Sequence, residues 1–274
     1  MDRHPVGIFD SGLGGLTAMR ELSALLPEED LIYLGDTARV PYGTRSAATV
    51  VRFALQDAQF LLRRGVKLLV VACGTVSSVA LEALQAHSPV PVIGIVEPVA
   101  RAAAAATRNG RVAILGTNAT IRSGAIAREL VRLDSRLKVT GLSCPLLVPL
   151  VENGYVKADQ PLLREALREY LPSVVSAGAD VAILGCTHFP VVSSAIREML
   201  PAVTLVDSGR EVALATVLKL REQALENLPE NRGRREYFIT DEVANFQSQA
   251  ERFLGHSLEG GVQKVELAPL DIRV

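Results

Sequence analysis

No apolar run in this 274-residue chain approaches the roughly 20 residues that span a bilayer. Segments such as "KLLVVACG" and "RVAILGT" are far shorter. The opening "MDRHPVGIFDSG" lacks the charged start, apolar stretch and small-residue cleavage site of a signal peptide. Because "FDSG" begins at residue 9, we also expect no regulatory extension ahead of it. Charge of one sign is missing too. The 29 basic and 30 acidic side chains leave a formal net charge of −1, which gives no electrostatic case for nucleic acid or an anionic membrane surface. Cysteine is scarce: the three present cannot all pair with one another, and none has CxxC or Cys/His metal spacing. These absences point to a cytoplasmic protein with reduced thiols.

Apolar content is ample, at 49% of residues, for one large or two ordinary domains. Short apolar runs alternate with segments of helical period. Strands are expected at Val6–Phe9, Leu31–Leu34, Leu68–Ala72 and Val92–Val96, then at Val112–Leu115, Lys138–Leu142, Val181–Leu184 and Thr204–Val206. Helices are expected at Gly15–Leu26, Ala47–Arg64, Thr75–Ala86, Pro98–Thr107, Ser123–Leu133, Gln160–Ala177 and Val191–Met199. Strands apolar throughout and separated by helices predict parallel sheets covered on both faces. The fold class is therefore α/β: two similar lobes, each a mainly parallel sheet flanked by helices, with an active site in the interlobe cleft. After Asp207 come a helix (Glu211–Glu226), a polar link "LPENRGRRE", a strand (Tyr237–Thr240), a helix (Asp241–Phe253) and a strand (Val262–Leu267). We expect this tail to rejoin the first lobe, giving 1–97 plus 208–274 as one lobe and 98–207 as the other.

Two segments, "LLVVACGTVSS" and "VAILGCTHFP", repeat one device. Each is a β-type run ending in a cysteine, followed by a threonine and an expected helix start. The carboxyl edge of an open α/β sheet is where ligands bind. A thiol at a helix N-terminus is expected to have a lowered pKa. Either cysteine alone also reads as a small buried core residue. As a matched pair, Cys73 and Cys186 suit proton removal from one face of a stereocentre and proton return to the other.

Other residues cluster at strand ends. "IFDSGLGGLTAMREL" places Asp10 and Ser11 before glycines 12, 14 and 15, a loop fit for an anion. It matches neither nucleotide fingerprint, so a carboxylate is the better ligand; Asp10 also reads as a helix cap. "YLGDTARVPYGTRS" offers Asp36, Tyr42 and Gly43 as a polar grip, or as a capped surface turn. Thr117 and Thr120 form a further donor pair or a simple ST-turn. His188 lies two residues past Cys186 and serves either proton traffic or structure. Glu152 is a second carboxylate near that half-site, and Cys144 reads as structural.

Together these stretches resemble glutamate racemases, of the aspartate/glutamate racemase superfamily. The motifs "FDSGLGGLT", "YLGDTARVPYG", "VVACGT", "ILGT..T..SG", "CPLLVPLVE" and "GCTHFP" occur in the family's order across residues 6 to 210. The resemblance implies cofactor-independent interconversion of L- and D-glutamate to supply D-glutamate for peptidoglycan, no bound metal, and a homodimer. It implies Cys73 and Cys186 as acid/base thiols, with Asp10, His188 and Glu152 in support. Ser11, Tyr42, Gly43, Thr75, Thr117, Thr120 and Thr187 would hold the substrate. One position departs: the family's usual asparagine after the first thiol is Gly74 here, so a side-chain contact is missing. That leaves open a racemase of aspartate or a related acid, and a non-catalytic amino-acid-binding relative. A cysteine hydrolase built on Cys186 and His188 would leave Cys73 unexplained.

Overall fold

Strand pairing divides the chain between two sheets, and every pairing among the described residues is parallel. The structure, a computed structural model, describes residues 3–228, 232–242, 246–258 and 261–270. The first part of the chain forms β1 (Val6–Asp10), α1 (Leu16–Leu25), β2 (Leu31–Gly35), α2 (Ala47–Leu62), β3 (Leu68–Val71), α3 (Gly74–Val79), α4 (Leu81–His87) and β4 (Val92–Gly94). Next come α5 (Val96–Ala106), β5 (Arg111–Gly116), α6 (Asn118–Ser123), α7 (Ala125–Leu133), β6 (Lys138–Ser143) and α8 (Leu147–Glu152). They are followed by α9 (Pro161–Tyr170), α10 (Pro172–Ser176), β7 (Val181–Leu184), α11 (Ser193–Met199) and β8 (Thr204–Asp207). The chain finishes with α12 (Ser208–Glu222), β9 (Arg235–Ile239), α13 (Phe246–Leu254) and β10 (Val262–Lys264). None of the described helices is long and apolar enough to cross a membrane.

The first sheet runs β10-β9-β2-β1-β3-β4 and the second β6-β5-β7-β8. The tail therefore adds two strands to the first sheet. Without them the orders are the same, 2-1-3-4, so the chain builds one four-strand unit twice. Alternation along each strand explains why both faces are covered. Val6, Ile8, Leu31, Tyr33, Leu68 and Val70 face a core continuous with the second sheet. Phe9, Ile32, Leu34, Leu69 and Val71 face Val50, Ala54 and Leu61 of α2. Each such side chain, fully buried, contributes ~1.5–3 kcal/mol, and this two-sided burial holds the strand ends in place.

Several helices differ from their expected spans, each for a local reason. Pro172 ends α9 because it has no N–H to give and its ring crowds the preceding turn. Gly124, at φ +66°, divides the expected Ser123–Leu133 helix from α6, which the sequence pattern misses along with α8. The expected Thr75–Ala86 helix breaks at Ala80 (φ −118°). The Ser77 hydroxyl pins α3 to the sheet there, donating to Val71 O (2.9 Å) and accepting from Ile95 N (3.1 Å). Of the expected helix Asp241–Phe253, residues 243–245 lie outside the described residues, as do residues 229–231 of the polar link.

Candidate active site

In each four-strand unit the order reverses between its first and third strands, opening a crevice past their carboxyl ends. Asp10 ends β1 and Ser11 follows it, while Cys73 lies just beyond β3. In the second unit Thr117 follows β5 and Cys186 lies just beyond β7. The two thiols thus occupy equivalent places in the repeat. The helices after them differ: Cys73 immediately precedes α3, whereas Cys186 leads into a 3-10 turn, Phe189–Val192, before α11.

The two crevices close on each other. Thr187 Oγ1 donates to Asp10 Oδ1 (3.4 Å), and the Thr75 and Thr117 hydroxyls bond at 3.0 Å. These bonds are counterparts, each linking the first-strand end of one unit to the residues after the thiol of the other. Glycine permits the approach. A Cβ on Gly74 would overlap the carbonyl oxygen of Gly185, and one on Gly14 would overlap Thr187 Oγ1. The sequence treats Gly74 as a lost amide; the structure makes it the point where the loops of the two thiols touch. Cys73 and Cys186 are each 5% exposed.

Electrostatically the half-sites are unequal. Burial and the Asp10 charge push the Cys73 thiol up to about 12, against hydrogen bonds from Ser11 and Val76. The expected lowering of this thiol by the helix end is thus overturned: desolvation outweighs the short helix. Cys73 Sγ lies 3.5 Å from Ser11 Oγ. Cys186 Sγ lies 3.9 Å from His188 Nδ1, and His188 Nε2 lies 3.1 Å from Glu152 Oε1. Burial pulls the imidazole down, but bonding to Cys186 and Glu152 lifts it to about 10. His188 is therefore cationic at neutral pH. Asp10 is raised by burial, against the His188 charge and bonds from Gly12, Gly15 and Thr187. The site holds a neutral thiol on one side and an imidazolium beside the other.

Most expected site residues gather here; the side-chain oxygens of Asp36 and Tyr42 do not. Ser11, Thr75, Thr117, Thr187 and His188 make the contacts above, and Gly43 packs against Thr117. Thr120 N donates to Thr117 Oγ1 (3.2 Å), so this pair caps α6 as well as lining the crevice. Asp36 does not present its carboxylate to the crevice. It is 0% exposed and bonded to Arg39, Tyr42 and Thr240, with Arg39 Nε at 2.5 Å and Thr240 Oγ1 at 2.8 Å. The Tyr42 hydroxyl is turned the same way, donating to Asp36 and lying 3.1 Å from Asp57 Oδ2. Sequence reasoning missed Asp57, whose signal is a carboxylate on the buried face of α2, and Thr17, whose hydroxyl donates to Thr187 O (3.1 Å). Cys144 is wholly buried, 3.7 Å from Leu142 O, with its thiol pushed up to about 12 by burial and by Cys186.

Fold and site define a class: a repeated α/β protein in which each half sets a buried thiol just past the end of its third strand. The chain belongs to the Asp/Glu/Hydantoin racemase family, whose sequence profile matches residues 15–216. It is 47% identical over 263 residues to the glutamate racemase of Geobacter metallireducens, covering 96% of each chain. The crystal structure of glutamate racemase from Thermus thermophilus in complex with Beta-chloro-D-alanine is 45% identical, with a TM-score of 0.88, covering 98% of this chain and 100% of that one. That of Francisella tularensis subsp. tularensis SCHU S4 in complex with D-glutamate is 33% identical, with a TM-score of 0.91, covering 97% and 99%.

Proposed function

We propose that this chain interconverts L- and D-glutamate without a cofactor, using Cys73 and Cys186 on opposite faces of the α-carbon. The observation that carries this reading is the equivalence of the two thiols in a repeated fold whose crevices meet. One sulfur takes the α-proton while the other donates, and the roles exchange in the reverse direction. The neutral Cys73 thiol is the donor when Cys186, beside the His188 cation, is the acceptor. Asp10 supports the first thiol; His188 and Glu152 support the second. Ser11, Thr75, Thr117, Thr120 and Thr187, with backbone N–H groups near Tyr42, Gly43 and Gly74, hold the carboxylates and amine. Residues 1–97 with 208–274, and 98–207, form the two lobes. The enzyme works as a homodimer in the cytoplasm, supplying D-glutamate for peptidoglycan. Relatives named glutamate racemase at near-full coverage support the substrate. The test is loss of optical activity when purified, reduced protein meets D-glutamate, with D-aspartate in parallel. A higher kcat/KM for glutamate is expected; preference for aspartate, or binding without turnover, would overturn the assignment.

A further inference from the structure

Helix α13 belongs to the tail whose strands extend the first sheet, yet it reaches the second half-site. Arg252 Nη1 donates to the carbonyls of Val151 (3.1 Å) and Glu152 (3.0 Å) at the end of α8. The next residue, Phe253, is 0% exposed, and its ring meets the His188 ring edge-on, with centroids 5.2 Å apart and planes at 82°. Phe253 O in turn accepts from Arg20 Nη1 on α1 (3.4 Å). A single turn of α13 therefore spans from α1 to both members of the His188–Glu152 pair.

The pair needs such support. Helix α8 has six residues, well below the length at which a helix holds itself. The chain past the helix closes most of its last turn, Gly154 N donating to Val151 O (3.0 Å) and Tyr155 N to Leu150 O (2.9 Å). The guanidinium adds bonds to Val151 O and Glu152 O, favoured by the negative helix end. Glu152 is the final residue of α8, with a side chain 37% exposed. The carboxylate is half-exposed and bonds His188, so its position follows in part from where the backbone places the residue.

We propose that Arg252 and Phe253 are positioning residues for the His188–Glu152 pair, so that the tail sets the geometry of the Cys186 half-site. This rests on the racemase reading above. Arg252 fixes where Glu152 leaves α8, and Phe253 fixes the plane of the imidazole that Glu152 bonds at 3.1 Å. The groups facing His188 are Cys186 and Thr187 from its own loop, Glu152 from α8, Asp10 from β1 and Phe253 from α13.

The experiment compares full-length wild type with Arg252→Ala, Arg252→Lys and Phe253→Leu. Its readouts are the pH profile of kcat/KM and the NMR titration of the His188 imidazole, assigned with His188→Gln. Arg252→Ala should lower kcat/KM by up to about 100-fold, as displaced catalytic groups do. It should also move the alkaline limb and the His188 titration about one pH unit lower, because an opposite charge has been drawn away. Arg252→Lys, which keeps a cation at the carbonyls, should recover most of both; Phe253→Leu should broaden or shift the same titration. Variants that lose stability or rate with limb and titration unmoved would overturn the proposal. If wild type does not racemise glutamate, the functional reading fails by itself, and the titration alone still decides the positioning role.

Discussion

At the scale of residues, the half-sites share a thiol and differ in everything around it. Cys73 is surrounded by burial and a carboxylate, while Cys186 has an imidazolium braced by Glu152. Cys73→Ser and Cys186→Ser should each lower kcat/KM by about 10²–10⁴-fold, the range for a positioned acid or base. L- and D-glutamate are mirror images, so their equilibrium constant is unity and kcat/KM must fall equally in both directions. Unequal severity can show only in kcat and KM taken separately. His188 also carries a stability signature. Its folded pKa, about 10, lies above the ordinary 6.5, so its contribution is complete below pH 6.5 and is lost as pH rises through about 10. The urea midpoint should therefore decline between those values, and His188→Gln should flatten that decline. An unchanged slope in the variant would contradict the assigned cation.

At the scale of elements, the contacts that seat the loops are glycine approaches and one buried ionic cluster. Gly74→Ala puts a Cβ into the Gly185 backbone, where no side chain can swing aside. Overpacking of this kind costs about 1–3 kcal/mol, and we expect lower kcat/KM together with faster alkylation of the two flanking thiols. Asp57 is raised well above the usual carboxylate range by burial and by Asp36, against Arg39. Removing Arg39 would leave the buried Asp36 carboxylate beside Asp57 without its cation, and Arg39→Ala should cost about 3–5 kcal/mol in urea unfolding. The strands were legible because period-two burial covers both faces of short apolar runs. The thiols and threonines were legible because they stand at strand ends. Asp36 misled because a loop aspartate looks the same whether it faces a ligand or a buried arginine. Arg252 and Phe253 carried no signal at all, since their role depends on a tail helix packing against α8, which no local pattern encodes.

At the scale of the whole molecule, the repeat places cysteines at equivalent strand ends, the arrangement that the proposed two-thiol racemase requires, with one unit for each face of the stereocentre. The tail is also tied, away from the site, to the segments that lead into β2 and β3 of the first sheet. Lys67 Nζ lies 2.6 Å from Glu29 Oε2, both nearly sealed from solvent, and also donates to Leu225 O (2.6 Å) past α12. Lys67→Ala would leave that carboxylate buried without its cation, and stability should fall by about 3–5 kcal/mol while the pH profile of turnover keeps its shape. Early-time turnover of D-glutamate in D₂O shows whether the two thiols act from opposite faces. Two bases on opposite faces put one solvent deuterium at the α-carbon of each L-glutamate formed and leave recovered D-glutamate protiated. Equal deuterium in both enantiomers, or return of the original proton to the product, would mean a single base and contradict the two-thiol proposal.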